Sequence, residues 1–275
     1  MDKKGWDLHV HSTCSDGTYT PKELIDEAKA KSLTGLAITD HDTVAAYTQN
    51  LYDYAKENAI GLITGVEFST IDDKTPVHIL GYRFDTDHKA VTDLCQAHVI
   101  RRQERNQAIL AKLKDYGIEI SYDELLAQGG HTIGRPHIAK LLIEKGVVNT
   151  IKEAFNRWIG DDQKCYARGR IFSPKEAIET IHKAGGLAFL AHPILLKKRA
   201  VIKGLLNRYK FDGMECYYGT FSEDKKKQMV EIAGHFNILT SGGSDFHGST
   251  KSYVRLGVSY TNENEIERIM NHGRM

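Results

Sequence analysis

The chain has 275 residues, a length that suits one large α/β domain or one domain carrying an insertion. Its 37 Lys and Arg nearly balance its 36 Asp and Glu, so the overall charge predicts neither a nucleic-acid coat nor a membrane-surface protein, although local patches can still bind polyanions. No run of about 18 apolar residues suggests a membrane span, the polar start shows no signal peptide, and the scattered Cys14, Cys95, Cys165 and Cys216 form no C-x-x-C, so a cytoplasmic protein without disulfides or a thiolate zinc site is expected.

The first stretch, Trp6-Asp7-Leu8-His9-Val10-His11-Ser12-Thr13-Cys14-Ser15-Asp16-Gly17, reads as a short strand running into a polar loop. Residues two apart on a strand share a face, so His9 and His11 project to one side, within reach of Asp16. Residues 21–31 follow as a helix with Pro21 in its first turn. Gly35-Leu36-Ala37-Ile38-Thr39 is a buried strand ending in Asp40-His41-Asp42, followed by a helix over about 44–57. Residues 60–66 form the next strand, closed by Glu67, and 76–84 another, carrying His78. This alternation of short apolar strands and helices indicates a parallel sheet or barrel.

The rhythm changes near His88. Helical patterns cover 90–116, 122–127, 135–145 and 150–158, with no convincing strand between Asp87 and Lys164. The expected organisation is therefore a barrel part over 1–87, a small all-helical insertion over 88–164 serving as a substrate cap, and a second barrel part over 165–275. The alternation resumes at Ser173-Pro174-Lys175-Glu176, an N-cap, first-turn proline and capping-box glutamate that open a helix to about Ala184. The strand 186–191 ends in His192-Pro193, a helix spans 198–209, and the strand 213–217 contains Glu215. A helix over 222–235 leads to the strand 237–241, then to Gly242-Gly243-Ser244-Asp245-Phe246-His247, and 262–271 is the final helix.

Residues at strand ends carry the chemistry. His9, His11, Asp16, His41, Glu67, His192, Asp245 and His247 occupy such positions, and His78 lies within a strand. In a barrel of parallel strands these ends face one rim, where reactions are placed. Each residue alone reads more readily as a satisfied loop polar group, but six histidines and three carboxylates at equivalent positions favour metal ligation. The set exceeds what one ion needs, and two or three first-row ions sharing a carboxylate would use all of it, with manganese first and zinc or iron as alternatives.

His9-Val10-His11-Ser12 with Asp16-Gly17, Thr39-Asp40-His41-Asp42, Gly65-Val66-Glu67, Ala191-His192-Pro193 and Gly243-Ser244-Asp245-Phe246-His247 resemble, in order, the motifs of the PHP (polymerase and histidinol phosphatase) superfamily. The resemblance covers about 3–84 and 172–260. It implies a distorted (β/α)7 barrel of α/β class with a trinuclear metal centre. By position, His9, His11, Glu67 and Asp245 would hold one ion; Glu67, His78 and His192 a second; Asp16, His41 and His247 a third. Within the superfamily, Gly134-Arg135-Pro136-His137-Ile138-Ala139 is similar to the insertion of phosphoesterases acting on nucleoside 3′,5′-bisphosphates, some of which also trim short RNA from the 5′ end. Lys164-Cys165-Tyr166-Ala167 departs from that subfamily's proline-containing form.

These readings imply hydroxide attack on phosphorus at a strongly positive pocket. His192 and His247 are candidates for leaving-group protonation as well as ligands, and Asp40 for fixing the tautomer of an imidazole, with a strand-end cap as its alternative. Arg135 is the candidate for bidentate grip on a second phosphate, with His137 and Lys164 as further substrate-binding candidates. Arg101-Arg102-Gln103-Glu104-Arg105 reads as a solvated or interdomain face rather than an RNA track, Cys14 and Trp158 as packed residues, and Glu215 as either a buried network member or a rim residue. His88, His98, His131, His182, His235 and His272 read as ordinary helix or loop residues. The leading function is removal of the 3′-phosphate from nucleoside 3′,5′-bisphosphates. The alternatives are a 5′–3′ exoribonuclease on short RNA, a histidinol-phosphate phosphatase, whose single phosphate would not call for Arg135, and a non-catalytic metal-binding module. The expected partners are small phosphate esters, above all nucleotides, or short RNA, with no membrane and no obligate protein partner.

Overall fold

The computed structural model describes residues 5–128, 133–196, 198–219 and 221–273; Lys3 and His131 lie outside them. In chain order the elements are β1 (Trp6–Val10), α1 (Pro21–Ala30), β2 (Gly35–Ile38), α2 (Gln49–Glu57), β3 (Gly61–Asp72) and β4 (Thr75–Tyr82). Then come α3 (Lys89–Asp115), α4 (Tyr122–Leu126), α5 (Arg135–Glu144) and α6 (Ile151–Ala154), which continues as a π-helical turn, Phe155–Ile159. The remainder is α7 (Pro174–Lys183), β5 (Leu187–Leu190), α8 (Arg199–Arg208), β6 (Gly213–Tyr218), α9 (Glu223–Phe236), β7 (Leu239–Gly243) and α10 (Glu263–Asn271). Among the described residues no helix is long and apolar enough to cross a membrane.

Local chemistry sets several boundaries. Thr20 and Ser173 cap α1 and α7 with reciprocal capping boxes to Glu23 and Glu176, and a proline opens each helix. α2 begins only at its Thr48 cap, whose hydroxyl accepts from Leu51 N at 3.3 Å, so the 44–48 stretch is turn rather than helix.

The seven strands form one sheet in the order β1-β2-β3-β4-β5-β6-β7. β1, β2 and β3 pair in parallel, as do β5, β6 and β7. Asp245 N donates to His9 O at 2.8 Å and His11 N to Phe246 O at 2.9 Å, so the segment after β7 nearly closes the sheet onto β1. The result is the expected distorted barrel with one departure from a parallel arrangement. β4 runs antiparallel to both β3 and β5. The cause is the short connection Asp73-Lys74 between Asp72 and its register partner Thr75, too short for a parallel crossover. Asp73 takes a left-handed φ of 54° there, a conformation Asp tolerates better than most residues. Consequently β3 runs on past Glu67, which lies inside the strand rather than at its end.

The chain divides into two compact units, residues 1–95 with 172–275, and 96–171. In the first, Leu24, Ile25 and Ala28 of α1 and Leu51 and Ala55 of α2 cover Leu36 and Ile38 of β2 in one buried cluster. Leu8, Ala37, Leu80, Tyr82 and Phe189 pack with Ile266 and Ile269 of α10 in another. The second unit has its own core, built from Ile109, Leu113, Leu125, Ile138, Leu142 and Cys165 among others. Cys165 is buried in that core, and the chain rejoins the sheet only at Phe172, whose carbonyl accepts from Ile71 N at 2.9 Å. The second unit runs to Ile171. Trp158 packs partly buried against the same core, and Arg101 is only 8% exposed, so the 101–105 face is not solvated throughout.

Candidate metal centre

All nine barrel residues singled out from the sequence meet in one cluster of the first unit. His9 and His11 leave the end of β1 on one side, and both are fully buried. β7 comes so near that a Cβ on Gly243 would meet the His9 Cβ at 2.3 Å, so only glycine fits there. The β3–β4 pairing supplies two more groups. The register sets Ser69 opposite His78 and Glu67 opposite Leu80, so Glu67 and His78 point to the same face by strand alternation. His41 follows β2, His192 follows β5, and Asp245 and His247 follow β7. His192 at φ 26° and Asp245 at φ 56° hold uncommon left-handed backbones. Each is fixed by its own amide, His192 N donating to Glu215 Oε2 at 2.7 Å and Asp245 N to His9 O at 2.8 Å.

Glu67 is the hub. Its Oε2 lies 3.2 Å from His9 Nε2, 3.2 Å from His11 Nε2 and 3.1 Å from His41 Nδ1. Its Oε1 lies 2.8 Å from His78 Nδ1 and 2.9 Å from His192 Nε2. Asp16, on the more open side, lies 3.4 Å from His247 Nε2, 3.7 Å from His11 Nδ1 and 3.9 Å from His41 Nε2. Asp245 Oδ1 faces His9, His11 and His247 at 3.5, 3.4 and 3.4 Å. Three groups have ligand atoms all within 4.8 Å of one another: His11, Asp16, His41 and His247; His9, His11 and Glu67; and His41, Glu67 and His78.

Electrostatics divides the imidazoles. Burial lowers the basicity of His41 to about 4 and of His247 to about 3, so both are neutral near pH 7. Burial also opposes charge on His11, but Asp245 and Glu67 outweigh it and raise the group to about 9. For Glu67 and Asp245 burial favours the neutral acid, and the surrounding His and Lys charges overcome it, holding both carboxyls well below their ordinary range. Among the described residues, both ring nitrogens of His11 and Nδ1 of His41 are buried without a hydrogen bond. Buried polar atoms are ordinarily satisfied. Ionised carboxylates facing imidazole nitrogens that lack donors or acceptors form an oxygen and nitrogen donor set without thiolate, which fits first-row divalent ions.

Supporting residues are only partly those named from the sequence. Asp40 is fully buried, but its carboxylate accepts from Ser12 N at 2.8 Å, Ser12 Oγ at 2.6 Å and Ser15 Oγ at 2.5 Å. It thus fixes the 12–15 turn rather than an imidazole tautomer, because three donors of that turn reach it first. Glu215, left open by the sequence, is an inner network member, with Oε1 2.9 Å from His9 Nδ1. The sequence missed Asp7, which accepts from the amides of Ser244 and Gly257 at 2.8 and 2.9 Å, and the contacts of Tyr218 and Lys251 with Asp245. Asp7 was the most accessible of these, since a carboxylate alternating with Leu8 inside an apolar strand needs donors when buried. Cys14 is buried beside Ser12, whose Oγ accepts from its amide at 3.0 Å.

The three substrate-binding candidates lie in the helical unit. Arg135 donates to Asp161 Oδ1 at 2.7 Å and to Ile159 O at 3.3 Å, with its guanidinium over the Phe155 ring at 5.5 Å. His137 Nδ1 accepts from Gly134 N at 3.1 Å, closing the first turn of α5. The Lys164 ammonium lies over Trp158 and Tyr116 at 5.2 and 5.6 Å. Of the histidines read as ordinary, His182 pairs with Asp212 at 2.7 Å and His98 is buried.

Comparison with known proteins gives a consistent grouping. The PHP domain model matches residues 7–172. A Haemophilus influenzae protein named 5′-3′ exoribonuclease is 37% identical over 251 residues, spanning 90% of this chain and 91% of the relative. A Chromobacterium violaceum 3′,5′-nucleoside bisphosphate phosphatase is 30% identical over 247 residues, spanning 88% and 86%. A solved Bifidobacterium adolescentis structure, assigned as a metal-dependent phosphoesterase, aligns at TM-score 0.85 and 29% identity over 100% of this chain and 98% of that one.

Proposed function

Since the chain belongs to the PHP domain family and is a metal-dependent hydrolase of phosphate esters, we propose that the bond it cleaves joins phosphorus to the ribose 3′ oxygen of a 5′-phosphorylated nucleotide. The observation that carries the metal chemistry is Glu67, whose two oxygens divide five imidazoles into two sets. The substrate rests on the relatives. One is named for removing nucleotides from RNA and the other for a nucleoside bisphosphate. The two reactions share one bond: hydrolysis at P–O3′ gives a nucleoside 5′-phosphate whether the departing phosphorus carries nothing further or the rest of an RNA chain. A nucleoside 3′,5′-bisphosphate is then the smallest substrate and short RNA its extension.

His9, His11, Glu67 and Asp245 are the proposed ligands of one divalent ion, Glu67, His78 and His192 of a second, and Asp16, His41 and His247 of a third. Such ions supply positive charge for phosphate oxygens and make water acidic enough to yield hydroxide near neutral pH. The chain's own residues hold and orient. Glu215 fixes the His9 ring through Nδ1 and so leaves Nε2 turned towards Glu67. Neutral His41 and His247 present lone pairs without first losing a proton. His247, lowered to about 3, has no proton to return to the departing 3′ oxygen near pH 7, which leaves His192, beside Glu67 at 2.9 Å, as the candidate. Arg135, with His137 and Lys164, remains the candidate for the 5′-phosphate.

Incubation with manganese and adenosine 3′,5′-bisphosphate, in parallel with a 5′-phosphorylated RNA pentamer, tests the proposal. The expected products are adenosine 5′-phosphate with free phosphate, and nucleoside 5′-phosphates from the RNA. Adenosine 3′-phosphate as the product, or release from neither substrate, contradicts it.

A further inference from the structure

We propose that Tyr218 and Lys251 are positioning residues that hold one oxygen of Asp245 away from the ions and so make it a one-oxygen ligand. This inference rests on the metal reading above. The Tyr218 hydroxyl donates to Asp245 Oδ2 at 2.7 Å, and the Lys251 ammonium donates to the same oxygen at 2.7 Å. A carboxylate oxygen has two in-plane lone pairs, and these two donors take both. The other oxygen, Oδ1, faces His9 Nε2 at 3.5 Å, His11 Nε2 at 3.4 Å and His247 Nδ1 at 3.4 Å. The two oxygens therefore have different tasks.

Both donors are themselves held. Tyr218 ends β6, in register with Gly243 of β7, its ring stacked on Phe221 at 5.5 Å and edge-on to His192 at 5.8 Å. Lys251 closes the 3-10 turn Gly248–Lys251 that directly follows His247. The backbone of Asp245 is pinned at a φ of 56° by the bond from its amide to His9 O, so only its side chain can answer their loss. Without the clamp the carboxylate is free to turn about its last bond, and Oδ1 would no longer keep its place opposite His9 and His11. Partners that orient a ligand from outside typically change metal affinity by about 10- to 100-fold.

A lysine beside a metal site has an opposite effect as well, because its charge repels the ions. The variants separate the two roles. Tyr218→Phe removes one hydroxyl and no charge, Lys251→Met removes donor and charge together, and Lys251→Arg keeps both. Manganese uptake is measured by equilibrium dialysis with elemental analysis on the intact chain, with circular dichroism as the check on folding. Tyr218→Phe and Lys251→Met should bind their weakest ion about 10- to 100-fold less tightly, while Lys251→Arg stays within about threefold of wild type. Unchanged uptake in Tyr218→Phe, or tighter uptake in Lys251→Met, overturns the clamp. A wild-type chain that takes up no ion overturns instead the metal reading beneath it, so the two failures are distinct.

Discussion

Glu67 and Arg135 stand for the two units. Glu67 is 1% exposed and shares its oxygens among five imidazoles, some of whose nitrogens find no hydrogen bond among the described residues. Arg135 is 25% exposed and has a carboxylate partner, Asp161, that is itself 64% exposed. Buried ring nitrogens left without hydrogen bonds beside a buried carboxylate, as on His11 and His41, are costly unless a further group completes them. A partly exposed arginine with a solvated partner is already satisfied, and such pairs contribute little, about 0–1 kcal/mol. The difference shows where sequence reading is strong. In the barrel unit the residues lack something, and what they lack has the chemistry of a cation. In the helical unit Arg135 already has Asp161, so a role for it requires a ligand that displaces that carboxylate.

The largest effect expected from this contrast is at the barrel. Asp245→Ala removes an oxygen facing three imidazoles, and activity on every phosphate ester should fall by several orders of magnitude, with the fold retained because the core clusters are built elsewhere. Near wild-type turnover under limiting metal would remove the contrast altogether.

Arg135→Ala sharpens it from the other side. A desolvated charge-assisted contact to phosphate is worth roughly 2–4 kcal/mol, so kcat/KM for a nucleoside 3′,5′-bisphosphate should drop by about 30- to 1000-fold. A simple monophosphate ester should be little affected. Equal losses on both would mean that Arg135 serves the reacting phosphate or the fold, and loss on neither would leave it as the surface partner of Asp161.

Glu215→Gln should weaken metal binding by about 10- to 100-fold, since an amide orients His9 less firmly than a carboxylate. Unaltered affinity by metal titration would mean that the barrel cluster orients itself without it.

The smallest effect is a pH dependence. His11 is raised from 6.5 to about 9, with burial opposed and outweighed by Asp245 and Glu67. A group raised in the folded state stabilises fully below its unfolded value and loses that contribution as pH rises through its folded value. The chelator-treated chain should therefore lose thermal stability between pH 6.5 and 9. Ligation needs neutral imidazole, so the gain in melting temperature on adding manganese should grow over the same window. A gain independent of pH would mean that no proton is displaced from His11.

Strand ends and helix caps were legible because they depend on near neighbours, such as Ser173 with Glu176 and Thr20 with Glu23. The barrel histidines were legible for a different reason: polar residues recurred where apolar strands stopped. What escaped depends on distant partners. Glu215 meets His9 across 206 positions, and no local pattern announces that. Asp40 sits beside His41 in sequence, yet its donors come from Ser12 and Ser15. The antiparallel β4 hid in the brief Asp73-Lys74 turn, which reads from sequence as an ordinary loop between two strands of the parallel series.

The most direct measurement is anomalous diffraction from crystals grown with manganese. Two or three peaks should lie among the nine side chains, about 2.0–2.3 Å from their ligand atoms, with Glu67 between two of them. Ordered side chains in the arrangement described here and no anomalous peak among them would contradict a metal centre.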